Sequence, residues 1–219
     1  MIKKAGHALI DYGKNINVLI DSLINKRPLI YVLGDSHIMK FLGHKGFIVY
    51  KIASCTAYKL NSSDSTTDGR KKLFNCVNKL PTGSTILLVF GEIDARIHVY
   101  KQFLKHNKSI NKICKDIVYN YGSVIDEISK KGFKIVVHGI PAPTNKAPET
   151  PLKERIIIHR TLNNELKRYC KLHGYIYWDI YSFAVDKEGL LKNEFVSDEI
   201  HMNSNSLENF NRLRAINGI

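Results

Sequence analysis

Five short apolar runs constrain this chain more than any other feature. Leu29–Leu33, Phe47–Ile52, Thr85–Phe90, Lys134–His138 and Tyr175–Trp178 are near-continuous rather than alternating. Such runs suit strands covered on both faces, which is the condition of a parallel sheet. The stretches between them have helical period. Ile110, Ile113, Ile117, Tyr121, Val124 and Ile128 step by three and four, and Gly132 follows as a stop. Leu162, Leu166, Tyr169, Cys170 and His173 do the same before Gly174, and Leu9, Tyr12, Ile16, Leu19 and Leu23 form a leading helix weakened by Gly13. Strands alternating with helices predict an α/β fold, doubly wound around a five-stranded parallel sheet.

At 219 residues the chain fits one domain spanning 1–219, with residues 1–28 expected to pack on it as an N-terminal helix. No apolar run approaches the roughly 18 residues of a membrane span. The basic start is interrupted by Asp11 and Lys14 before any signal-peptide core could form, so the expected location is cytoplasmic. Cys55, Cys76, Cys114 and Cys170 are scattered without metal-ligand spacing, which fits free thiols and predicts neither a metal nor a cofactor. The formal charge is +13, most of it carried by residues 1–110. The basic residues are mostly isolated lysines, and Arg70-Lys71-Lys72 is the densest cluster. That distribution argues for weak attraction to anionic surfaces rather than for a nucleic-acid partner.

Two polar stretches fall at predicted strand ends, and a third lies near the C-terminus. In "YVLGDSHIMKFLG" the first strand stops at Gly34-Asp35 and a helical pattern restarts at once, with Ser36 at the corner. There Ser36 is either a helix cap or a reachable hydroxyl whose amide serves as an oxyanion donor. In "VSDEIHMN" Asp198 and His201 are three apart, so the carboxylate reaches Nδ1 and leaves Nε2 free to accept a serine proton; an ordinary polar loop has the same spacing. In "LLVFGEIDARIHVY" the third strand ends at Gly91 and is followed by Glu92, Asp94, Arg96 and His98. That is where open α/β sheets bind ligands, although a salt-bridged loop would look alike.

Gly34-Asp35-Ser36 after strand 1, a turn after strand 2, a Gly-led polar block after strand 3 and Asp198-x-x-His201 together resemble the SGNH (GDSL-type) hydrolases, over about Leu29 to Asn203. The resemblance implies a flavodoxin-like three-layer α/β/α fold and ester hydrolysis. It implies Ser36 as nucleophile, His201 as base and Asp198 as the carboxylate orienting that base. Two blocks depart from the family. Ile93 stands where the family's oxyanion Asn belongs, in the block Gly91-Glu92-Ile93-Asp94-x-Arg96, which resembles a variant branch. The second block's Gly is not evident, and Ser54 and Cys55 occupy its region. A missing oxyanion donor typically costs about 10²–10³ in rate. Arg96, or else His98, is therefore expected to replace it, with Glu92 orienting Arg96 or binding a substrate hydroxyl. His7, His44, His106, His159 and His173 are expected far from Ser36.

The polar crown loops, Asn61–Thr67 and Thr144–Thr150, fit a small acyl group such as acetyl on a carbohydrate or other polar alcohol better than a fatty ester. O-acyl transfer through the same serine is the alternative. A catalytically silent fold that binds a glycan or an anionic partner is the alternative of another class.

Overall fold

The computed structural model describes residues 2–62, 67–147 and 149–219, with side chains from residue 13 onward. Helix α1 (Ile2–Asn25) leads into strand β1 (Ile30–Gly34), a 3₁₀ helix (Ser36–Phe41) and strand β2 (Phe47–Lys51). Helix α2 (Gly69–Val77), strand β3 (Thr85–Val89), a π-helical turn (Asp94–His98), α3 (Val99–His106) and α4 (Ile110–Ser129) follow. Strand β4 (Lys134–His138), α5 (Leu152–His173), β5 (Ile176–Trp178), α6 (Ile180–Ala184) and α7 (Leu207–Asn217) complete the order.

All four strand pairings are parallel, and the sheet order is β2-β1-β3-β4-β5. That is the flavodoxin-like order, in which the chain reverses direction across the sheet between β1 and β3. Each run expected as a strand lies within a residue or two of an observed one. Alternation along the strands feeds two separate cores. Leu33, Ile86, Leu88, Ile135 and Val137 pack with Leu73, Val99, Val124 and Leu162 from α2, α3, α4 and α5. Ile30, Val32, Leu87, Val89 and Val136 pack on the other side with Phe41, Ile180 and Phe210, from the 3₁₀ helix, α6 and α7. Two cores on one sheet make three layers.

Helix α1 docks along the outer edge of the sheet. The Asn15 amide donates to the Val49 carbonyl (2.8 Å) and accepts from the Val49 amide (3.0 Å), satisfying backbone that an edge strand leaves open. Val18 and Ser22 are buried by the same contact.

The helix expected at the serine corner is a six-residue 3₁₀ helix, Ser36–Phe41. It must cross to β2 in few residues, and 3₁₀ geometry covers more length per residue. Its Ile38 and Phe41 are fully buried in the second core and fix the corner by packing.

Candidate active site

The serine corner is built by close approach. Gly34 lies so near β3 that a Cβ there would sit 2.2 Å from the Val89 carbonyl oxygen, which admits only glycine. Asp35 follows, buried, its carboxylate accepting the His37 amide at 2.9 Å and so capping the 3₁₀ helix. The cap belongs to Asp35, which leaves the half-buried Ser36 side chain free for other work.

The second element is a pinned loop. Phe195 and Met202 are buried anchors, Val196 and Met202 form an antiparallel bridge, and the Ser197 amide donates to the His201 carbonyl at 2.9 Å. Within the loop, Asp198 Oδ1 accepts the amides of Ile200 (2.9 Å) and His201 (2.8 Å). The Thr144 hydroxyl donates to the Glu199 carbonyl and ties this loop to the one after β4.

These two elements bring three side chains into line. His201 Nε2 is 2.9 Å from Ser36 Oγ, and His201 Nδ1 is 2.8 Å from Asp198 Oδ2 and 3.0 Å from Oδ1. Partial burial alone would raise the Asp198 carboxyl, but the two loop amides and the imidazole outweigh it and hold the group down at about 2. An ionised Asp198 accepts from Nδ1–H, and that tautomer leaves the Nε2 lone pair to accept the serine proton.

The β3 loop serves mainly to hold the others in place. Gly91 has a left-handed φ of +109°, and the turn after it is π-helical. Fully buried Asp94 accepts the amide of Ala57 at 2.6 Å and that of Tyr58 at 3.4 Å, binding the loop after β2 to the loop after β3. Burial pushes its carboxyl up to about 7 against the pull of those amides. Ser54 is exposed in the β2 loop. Cys55 beside it is buried, its thiol pushed up by burial to about 12, which leaves it unreactive.

Arg96 departs from the role expected of it. Its Nε donates to Glu92 at 2.7 Å and another guanidinium nitrogen donates to Glu149, while Thr150 Oγ1 donates to the Arg96 carbonyl at 2.6 Å. The guanidinium is committed to two carboxylates and does not line the cleft that opens over Ser36. Glu92 does orient Arg96, and its other oxygen lies 3.3 Å from His37 Nε2, an ion-pair contact rather than an aligned hydrogen bond. Burial opposes charge at Glu92, yet His37 and Arg96 hold its carboxyl down at about 2. His98 is half-buried, with an imidazole that burial pushes down, and it does not line the Ser36 cleft either.

Two further residues, His37 and Lys40, belong to the site. The His37 ring lies 4.7 Å from the His201 ring, centroid to centroid, and backs it. Lys40, one turn on, reaches the cleft wall. His37 and Lys40 are three apart, a spacing that a 3₁₀ segment stacks on one side. His44 also lines the cleft, contrary to the expectation that it lies far from Ser36. His159 instead staples the loop after β4, its Nδ1–H donating to the Pro141 carbonyl at 2.7 Å. Asn163 and Arg155, each one turn away on α5, bind Ile140 and the carbonyl of Thr144.

No protein-family model matches this chain, and no curated protein does. Solved structures do. An assigned acylhydrolase from Bacteroides fragilis is 17% identical at a TM-score of 0.58, over 88% of this chain and 90% of that one. A GDSL-like lipase from Bacteroides thetaiotaomicron is 14% identical at a TM-score of 0.60, over 89% and 90%. An acetyl xylan esterase is 13% identical at a TM-score of 0.53, over 87% and 98%. The fold is that of the SGNH (GDSL-type) hydrolases.

Proposed function

We propose that the protein is a serine esterase acting on small acyl esters of polar alcohols. The observation that carries this reading is the Asp198–His201–Ser36 line, with contacts of 2.8 and 2.9 Å at the C-terminal edge of the sheet. Ser36 Oγ attacks the ester carbonyl as its proton passes to His201 Nε2, and the carbonyl oxygen becomes an oxyanion. Amides of Ser36 and of the Ser54–Cys55 turn are the donors for that charge, the loop beyond the turn being tied to Asp94 at Ala57 and Tyr58. Collapse expels the alcohol, which takes the proton from His201, and an acyl group stays on Ser36. Water then enters by the same base-assisted step and releases the acid.

The cleft over Ser36 has a volume of about 590 Å³ and is lined chiefly by Ser36, His37, Lys40, Asp198, His201 and Asn203. Among the described residues Met39 and Met202 are its only aliphatic wall, and the polar remainder suits a polar alcohol. An acetyl xylan esterase among proteins of this fold accords with a short acyl group on a carbohydrate. The same cleft can seat an acceptor alcohol in place of water, and O-acyl transfer would then use the same serine.

A fluorophosphonate probe tests the nucleophile. Labelling of the wild type and not of Ser36→Ala or His201→Ala is expected; an unlabelled wild type would leave a silent fold that binds its ligand without turnover. With 4-nitrophenyl acetate, butyrate and octanoate, the octanoate should be the poorest substrate.

A further inference from the structure

The cleft over Ser36 is basic, and its basicity is built in from below. Lys40 is only 8% exposed, yet it lines the cleft together with Ser36 and His201. Its Nζ lies 2.9 Å from His138 Nε2, 3.8 Å from Met202 Sδ, and over the rings of Trp178 (5.1 Å) and Phe41 (5.4 Å). Burial and the neighbouring ammonium push the His138 imidazole well down, so the ring is neutral and Nε2 accepts from Lys40. No carboxylate among the described residues pairs with Lys40, and burial without a counter-ion pushes its ammonium down to about 7. Ring faces and an imidazole lone pair compensate a buried cation only in part. Lys51 and His44, both exposed, line the same cleft. Among the described residues the one carboxylate lining it, Asp198, is already paired with His201.

The cleft also has a side. Its walls are the 3₁₀ helix with the turn after it, Lys51 at the end of β2, and residues 197–204. Neither the Ser54–Cys55 turn nor the β3 loop lines it, so the oxyanion and the acyl group lie elsewhere. It opens beside His201 Nε2, the atom that must protonate the departing alcohol. Resting on the esterase reading above, we propose that the alcohol portion of the substrate carries a carboxylate or phosphate, held in this cleft by the ammonium groups of Lys40 and Lys51. An anion there restores the counter-ion that Lys40 lacks and seats the leaving oxygen against the base.

The test compares matched esters. For 4-acetoxybenzoate against its methyl ester, kcat/KM should favour the anion about tenfold at low salt, and the preference should shrink as salt screens it. Substituting 4-acetoxyphenyl phosphate for the carboxylate decides between the two anions. Charge on the acyl side, 4-nitrophenyl succinate against 4-nitrophenyl butyrate, should bring no such gain. Lys40→Met and Lys51→Ser should each move the anion-to-neutral ratio toward one. The exposed Lys51 supplies the result should the buried substitution fail to fold. Hydrolysis of both acetates at equal rates, or a preference confined to the succinate, overturns this assignment and leaves the esterase standing. A wild type that neither takes fluorophosphonate nor cleaves any ester removes both.

Discussion

Replacing Asp198 separates two jobs that its carboxylate performs. Oδ1 accepts the Ile200 and His201 amides at 2.9 and 2.8 Å, and both oxygens face His201 Nδ1. An asparagine there keeps its carbonyl oxygen on the two loop amides, which places its NH₂ against Nδ1. That group donates, so Nδ1 must accept, and the ring proton moves to Nε2, where it points at Ser36 and cannot take a proton from it. Alanine removes the acceptor without imposing the wrong tautomer. The order of activity is therefore Asp, then Ala, then Asn, although Asn is the closer replacement in shape. In buried triads the amide costs about 10⁴ in kcat. The Asp198 side chain is 54% exposed, so water can take over part of its role. We expect losses of about 10³ for Asp198→Asn and about 10² for Asp198→Ala, or roughly 4 and 3 kcal/mol of barrier. Turnover of 4-nitrophenyl acetate measures both, and imidazole ¹⁵N shifts read the tautomer directly. An asparagine variant as fast as the alanine variant would refute the orienting role.

Glu92→Gln should alter acid stability. The Glu92 carboxyl is held at about 2 in the fold against an ordinary 4.5, so its contribution is complete above 4.5 and is lost as pH falls toward 2. That amounts to about 3 kcal/mol at most, and acid denaturation of the variant should lack it. Arg96→Ala should act on stability more than on turnover, because it strips a partner from a Glu92 side chain only 7% exposed. A loss of about 2–3 kcal/mol in urea is expected, with kcat changed far less than the hundredfold of a missing oxyanion donor. Gly34→Ala should cost about 3 kcal/mol or more, since the clash is with the Val89 backbone and the two central strands cannot part. A variant that melts with the wild type would contradict that geometry.

The sheet was legible because burial on both faces leaves a mark in each strand separately. Val32 and Leu33 are both fully buried, one in each core, so polarity could not alternate there. Helices α4 and α5 were legible from their period, though the first two turns of α5 were not. There the row Arg155, His159 and Asn163 faces the loop after β4 instead of a core. Period searches look for apolar residues, and a polar row at the same spacing escapes them. The 3₁₀ character of the serine segment was equally hidden, because the buried pair Ile38 and Phe41 suits either helix.

At the site, the sequence reading reached the residues whose spacing is local and lost those whose meaning depends on what lies opposite. Asp198 and His201 are three apart on one loop, and the contact between them follows from that alone. Reach and charge alone point Arg96 at the oxyanion, but a guanidinium goes to the nearest carboxylates, here the buried Glu92 and the exposed Glu149. Glu92 is one turn back, and Glu149 arrives from a distant loop. Lys40 shows the converse. In sequence it is one lysine among many, on the helical segment that follows the serine corner. Only the fold sets it over Trp178, beside His138 and under the cleft, unpaired with any carboxylate among the described residues. A charge becomes chemically informative when its solvent and counter-ions have been removed, and that removal is a property of the packed chain. The net charge of +13 therefore says little about what binds here, whereas the place of this one ammonium says which end of the substrate should be anionic.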